Sequence, residues 1–349
     1  YHAGLQVPDE VTLMWCDDNY GYIRHFPTAE ERARKGGNGV YYHVSYWGRP
    51  HDYLWLGTAH PSLVYQQMSL AYERGIQKMW ILNVGDIKPA EYQVELFLDM
   101  AWNLEAVKQQ GVVAHQRQFL EREFGKNRAD RLQPVMQEAY RLAYIRKPEF
   151  MGNTRTEEKD PKFKVISDLP WCEQEINERL AAYRQLSDKV EQEWHALPAQ
   201  KKETYFQLVK YPVQAAAQMN NKLLTAQLAR HGKADWADSD RAYDSIVSLT
   251  KRYNITKWNR MMDFQPRRLL VFNRVERKAL SSGLLEKPQA VYTWNGADCV
   301  EGASVICEGL GYEGKAVAVE KKKELTFEFA AWETDSVEVE VRLLPNHPV

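Results

Sequence analysis

The chain has 349 residues, 44% of them hydrophobic and 12% aromatic, which is ample for real cores and implies two or three domains. Its 46 basic and 47 acidic residues leave a formal net charge of −1, without the basic excess that favours a nucleic-acid partner. No run approaches the roughly 18 consecutive apolar residues of a membrane helix, and the opening Tyr-His-Ala-Gly-Leu-Gln has no signal-peptide character.

A strand–helix alternation sets in at residue 11. Residues 11–15 (VTLMW) read as a strand. Thr28 and Glu31 form a capping box that opens a short helix, stopped at Gly36-Gly37. Residues 40–44 (VYYHV) are the next strand. A helix over 62–74 follows, with Pro61 just inside its start and Gly75 just past its end. Residues 78–84 (KMWILNV) make the third strand, and a long helix is expected over 90–110. Such alternation implies parallel pairing with both sheet faces covered. Three strands with a polar rim make an incomplete domain, so residues 1–98 read as the last part of a (β/α)₈ barrel whose other strands lie upstream.

Residues 99–262 turn helical. Phe97, Met100, Ala101, Leu104 and Val107 recur at three- and four-residue spacing, as do Leu132, Val135, Met136, Ala139, Leu142 and Ala143. Pro170 opens a helix towards Trp194, and Pro198 opens another reaching about His231, with a kink expected at Pro212. A last helix covers about 237–252. The charged stretch 146–164 reads as a surface loop. Helices of this length make a bundle. Beyond 263 short strands are expected at 289–294, 304–307, 316–319, 324–329 and 336–343, the start of a β-sandwich that 263–349 does not complete. The fold class is thus multidomain: α/β, then α, then β. The chain reads as a piece of a larger protein.

Four cysteines (Cys16, Cys172, Cys299, Cys307) fit no metal spacing. Cys299 and Cys307 could pair across a hairpin, but isolated buried thiols are the better reading. The compartment is left open.

Chemistry concentrates where the first two strands end. Asp17, Asp18 and Asn19 follow strand one; alternation puts Asp17 and Asn19 on one side. A carboxylate and an amide there could activate a water and hold a sugar hydroxyl, or simply cap a turn. Tyr41 and His43 share a face of strand two and Tyr46 can join them, as a site or as satisfied core. Arg49 and His51 could pair with a uronic acid carboxylate, and Arg49 could equally be structural. Asn83, at the end of strand three, could line the same rim, while Asp86 and Lys88 could cap the next helix. Glycine-rich phosphate loops, His-Glu-x-x-His and nucleophile elbows are missing.

The strings WCDDNYGYIRHFP (15–27), GGNGVYYHVSYWGRPHDYLWL (36–56), ILNVGDIKPAEY (81–92), KWNRMM (257–262) and GLGYEGKAVAV (309–319) resemble glycoside hydrolase family 115, the xylan α-1,2-glucuronidases. The resemblance implies a (β/α)₈ catalytic barrel, a helical bundle and a β-sandwich. It also implies removal of (4-O-methyl-)glucuronic acid from glucuronoxylan or its oligosaccharides, with inversion and no metal or other cofactor. Asp17 would be the catalytic carboxylate. Asn19, Tyr41, His43 and Tyr46 would fall on the family's active-site motifs. A homodimer and a periplasmic or secreted location go with it. The alternative is a catalytically inactive carbohydrate-binding or dimerisation fragment.

Overall fold

The computed structural model describes residues 4–18, 20–48, 52–85, 87–152, 165–169, 171–263, 269–277, 305–308 and 315–318. It is mostly helical, with one small parallel sheet. Strands β1 (Leu13–Cys16), β2 (Asn38–His43) and β3 (Met79–Asn83) lie in sequence order, all parallel. Leu13 faces Asn38, Cys16 faces Tyr41, and His43 faces Asn83. The intervening helices are α1 (Ala29–Ala33) and α2 (Pro61–Glu73). The Thr28–Glu31 capping box forms as expected, and Pro61 stands in the first turn of α2 with Gly75 past its end at φ +91°.

Only one sheet face is covered, contrary to expectation. Strands in sequential order with right-handed crossovers put both connecting helices on the same side. Leu13, Trp15, Val40 and Tyr42 are buried beneath them, while Met14, Met79 and Ile81 on the other face stay 37%, 49% and 38% exposed. Cys16 sits on that open face, so the expected burial of this thiol fails. Cys172 is buried.

The helix expected over 90–110 is two, α3 (Glu91–Trp102) and α4 (Leu104–Gln110). Asn103 leaves the helical region (φ −152°) and its side chain accepts from the Ala106 amide. An amide side chain that can start a new helix offers the backbone an alternative to continuing the old one. No side chain caps α3. Lys88 instead pairs with Glu91, donates to Gln207 Oε1 at 3.3 Å, and lies 4.5 Å from the Trp258 ring centroid. Asp86 lies outside the described residues.

Next come α5 (Val112–Phe124), α6 (Lys126–Ile145), α7 (Glu173–His195), α8 (Ala199–Tyr205), α9 (Tyr211–Arg230) and α10 (Trp236–Asn254). Helix α9 is the hub, packed against α7, α10 and α6. It is buried nearly all round, which is why its polar residues carry specific bonds: Gln227 holds both the amide and the carbonyl of Leu169. The expected kink at Pro212 takes the form of a π-helical turn, Phe206–Lys210. Proline offers no N–H to the preceding turn, and widening that turn accommodates the missing bond.

The stretch 146–164 is not a surface loop where it is described. Lys147, Pro148, Glu149, Phe150 and Met151 are all buried, and Pro148–Phe150 forms a 3₁₀ turn. Charge in the sequence signalled exposure; here each charge has a protein partner instead. One continuous apolar cluster runs from Leu13 of β1 to Val275, joining the sheet to the helices without a seam. Of the expected C-terminal strands, two short ones are described, β4 (Val305–Glu308) and β5 (Lys315–Ala318), paired antiparallel. The others, with Cys299 and Pro170, lie outside the described residues.

Candidate active site

The site is built at the carboxyl ends of the three strands. Beyond β1 the chain folds into a tight turn in which Asp17 bridges Ile23 antiparallel. Asp18 builds that turn: its Oδ1 accepts from the amides of Tyr20 (2.9 Å) and Tyr22 (3.0 Å), and its Oδ2 accepts from Arg24 Nε at 2.6 Å. The structural reading of the acidic cluster therefore holds for Asp18 alone.

Gly21 closes the turn at φ +89°, and its carbonyl accepts from the buried Tyr42 hydroxyl at 2.9 Å. A Cβ there would stand 3.1 Å from Leu63 and 3.2 Å from the Tyr42 hydroxyl. Gly21→Ala is expected to lose about 1–3 kcal/mol from the left-handed backbone alone. The check is the urea midpoint, which should fall.

Asp17 is placed differently. Its side chain is fully buried, and Oδ1 meets His43 Nδ1 at 2.6 Å. With Asp17 ionised, His43 donates from that nitrogen. Among the described residues, Oδ2 has no hydrogen-bond partner. Burial, the dominant influence, pushes the carboxyl up to about 6 against the downward pull of His43. A carboxylate of this kind is suited to take a proton near neutral pH. Partial desolvation of the Cys16 sulfur, and then the Asp17 charge, raise that thiol above its ordinary value although the residue stands on the open face.

The wall follows from the period-2 pattern of β2. Tyr41 and His43 share a face, with ring centroids 5.1 Å apart, edge to face. Tyr46 sits edge-on to His43 at 4.9 Å. Asn83 of β3 donates to the Tyr41 hydroxyl at 2.6 Å. Four residues singled out from the sequence beside Asp17 (Tyr41, His43, Tyr46 and Asn83) are thus brought together. Asn19, Arg49 and His51 lie outside the described residues. Further along the chain, Trp258 packs on Lys88, and Asn254 holds both the amide and the carbonyl of Met262.

Two residues went unread. Tyr53 stacks on Tyr46 (6.0 Å, 20°) and exchanges both backbone hydrogen bonds with it, each at 3.0 Å. Lys147 lies 4.8 Å from the centre of the Tyr53 ring. The first was hidden in a run of aromatics; the second is about a hundred residues further on, and only the tertiary fold brings it near.

Among the described residues, no group of three or more His, Cys, Asp or Glu is placed to hold a metal ion, and no helix is long and apolar enough to cross a membrane.

A buried carboxylate held through one oxygen by an imidazole, and walled by phenol and amide at the ends of parallel strands, is an arrangement suited to carbohydrate chemistry. Residues 1–150 match the family model for glycosyl hydrolase family 115, and the chain belongs to that family. Over 96% of its length it is 66% identical to a solved family GH115 4-O-methyl-α-glucuronidase with specificity for decorated arabinogalactans, at a TM-score of 0.90. It spans 44% of that protein's chain. No curated protein matches it.

Proposed function

We propose that this chain carries part of the active site of an inverting α-glucuronidase, which removes (4-O-methyl-)glucuronic acid side chains from a decorated plant polysaccharide. The observation that carries the reading is Asp17: buried, oriented through one oxygen by His43, and with the other oxygen unpartnered. Asp17 is assigned as the base that takes the proton of the attacking water, which inversion places on the far side of the sugar ring. Tyr41, Tyr46 and Asn83 hold sugar hydroxyls and pack on the ring. Asn19 joins them, and Arg49 and His51 take the uronate carboxylate. The acid for the leaving oxygen is a second carboxyl roughly 6.5–9.5 Å away. We look for it in the part of the solved relative that this chain does not cover.

In this reading residues 1–98 belong to a (β/α)₈ barrel, 99–262 form a helical bundle and 263–349 form part of a β-sandwich. The 66% identity to a relative specific for decorated arabinogalactans favours that polymer over glucuronoxylan. A homodimer and a periplasmic or secreted location complete the proposal; sedimentation of the purified chain tests the first and fractionation of the source cells the second.

The test is uronic acid release from both polymers. It uses the chain alone and the chain joined behind the portion of the relative it does not cover. Release by the joined form, with the sugar freed as the β-anomer, is the expected result. Measurable glucuronic acid binding without release from either form would favour a carbohydrate-binding role. Neither binding nor release would end the proposal.

A further inference from the structure

We propose that the Lys147-Pro148-Glu149 turn is a clasp that sets the position of the Tyr46–Tyr53 wall, and that Lys147 is a positioning residue for the reaction at Asp17. The inference deepens the glucuronidase reading and rests on it for its kinetic arm.

The turn follows α6, in the helical part of the chain, yet its charges reach back into the loop that leaves β2. Lys147 is 4% exposed; its Nζ donates to the Thr58 carbonyl at 2.9 Å and to the Thr58 hydroxyl at 3.3 Å. The same ammonium lies over Tyr53, whose other interactions with the site are its stack on Tyr46 and its paired backbone bonds. Glu149, 3% exposed, accepts from the Trp55 amide at 3.3 Å. Two buried charges of opposite sign thus take hold of one six-residue stretch, 53–58, at three points.

Burying a lysine is expensive, and an apolar side chain of the same length would fill this volume at lower cost. What the ammonium adds is a directed attraction to a ring face at a buried position. Tyr53 needs that attraction, because among the described residues its own hydroxyl is buried without a hydrogen-bond partner that would fix the ring. Tyr53 positions Tyr46, Tyr46 meets His43 edge-on, and His43 orients Asp17. The line of contacts from Lys147 to the carboxylate is unbroken.

The groups facing the ammonium are few: Glu149 on its own turn, and Tyr53 and Thr58 from the loop. Burial pulls the Lys147 ammonium down to about 8, with Glu149 opposing the fall. The cation over the ring is accordingly present below about pH 8 and lost above it.

The experiment compares Lys147→Met and Lys147→Arg with the native chain by two readouts. The first is kinetics of uronic acid release in the joined form. Lys147→Met is expected to lower kcat about 10- to 100-fold, the scale of an ångström-sized misplacement, with KM changed less than about threefold. Lys147→Arg, which keeps a cation over the ring, should recover most of kcat. The second readout is the ring NMR signals of His43 and Tyr46 in the chain alone, which need no turnover. Lys147→Met should shift or broaden both, and Lys147→Arg should leave them near their native positions. Unchanged signals and an unchanged kcat in Lys147→Met would overturn the proposal. So would equal losses in both variants tracking a common fall in melting temperature, since that is plain structural damage. If the native joined form releases no sugar, the glucuronidase reading fails, and the NMR arm still decides the clasp.

Discussion

Asp17→Asn should abolish uronic acid release, by about 10³-fold or more, and at the same time make the chain more stable at neutral pH. The two effects share one cause. The carboxylate is buried, and among the described residues His43 compensates Oδ1 and no side chain compensates Oδ2. In the proposed mechanism Oδ2 takes the proton, and folding has to tolerate its burial. The sign follows from the raised pKa. The folded chain binds this proton more tightly than the unfolded chain does. Asp17 therefore costs nothing below about pH 3.8 and becomes progressively destabilising as pH rises from there through about 6. Above that the penalty is constant, and the gap between about 6 and 3.8 is worth about 3 kcal/mol. An amide keeps an acceptor for His43 and removes the charge, so Asp17→Asn should gain part of that 3 kcal/mol at pH 7 and almost none at pH 4. Denaturant midpoints at the two pH values check the difference. In the active form the acid limb of kcat/KM should fall as pH drops through about 6, where the base is protonated. Equal midpoints at both pH values, or a limb near the ordinary carboxylate range, would remove the buried-base assignment.

The second large effect is expected far from the rim. Arg179→Ala should cost about 3–5 kcal/mol, read from the loss of helical circular dichroism with urea. Arg179 is 6% exposed, and its bonds among the described residues go to neutral acceptors. Its NH2 donates to the carbonyls of Leu142 (3.1 Å) and Arg146 (2.8 Å), at the end of α6, and its Nε donates to Asn220 Oδ1 at 2.7 Å. Cations belong at the carbonyl end of a helix, where its last acceptors are unpaired. The guanidinium also packs on the rings of Trp171 and Tyr183. Truncation leaves two acceptors, the Arg146 carbonyl and Asn220 Oδ1, without this donor, each worth about 1–3 kcal/mol, takes a second donor from the Leu142 carbonyl, which keeps the Arg146 amide, and opens a void. Lysine cannot span these acceptors with one ammonium, so Arg179→Lys should recover less than half of the loss. A loss below about 1 kcal/mol for Arg179→Ala would mean that water reaches these carbonyls.

These expectations divide along the line of what the sequence made legible. Local signals carried the elements well: the Thr28–Glu31 box, Pro61 and Gly75 around α2, and the period-2 run that puts Tyr41 and His43 side by side. Asp17, Tyr41, His43, Tyr46 and Asn83 could be picked out as neighbours because strand ends and period-2 alternation bring them to one rim, with site and satisfied core both open as readings of the sequence. Asp17 and Asp18, adjacent and identical, could not be told apart: only the fold gives Asp18 two amide donors and Arg24, and gives Asp17 the His43 imidazole. The turn at 146–151 was misread because one-dimensional charge implies water, and the partners that make burial tolerable, Thr58 and Trp55, are about ninety residues away. The break at Asn103 was invisible for another reason. The apolar spacing runs through it undisturbed, and the choice between continuing one helix and capping a new one is settled by a single side-chain bond.

The seamless core also bears on inheritance. Trp55 donates to Tyr211, Lys147 to Thr58, Gln93 to Tyr140, and Tyr22 meets Tyr144, so strand-side and helix-side residues are bonded across the boundary expected at 98/99. A gene fusion that carried the helices to a new neighbour without these three strands would strip several buried polar groups of their partners at once. Recombination should therefore move the strands and helices together, and swaps between relatives should succeed when both sides of this contact come from one parent.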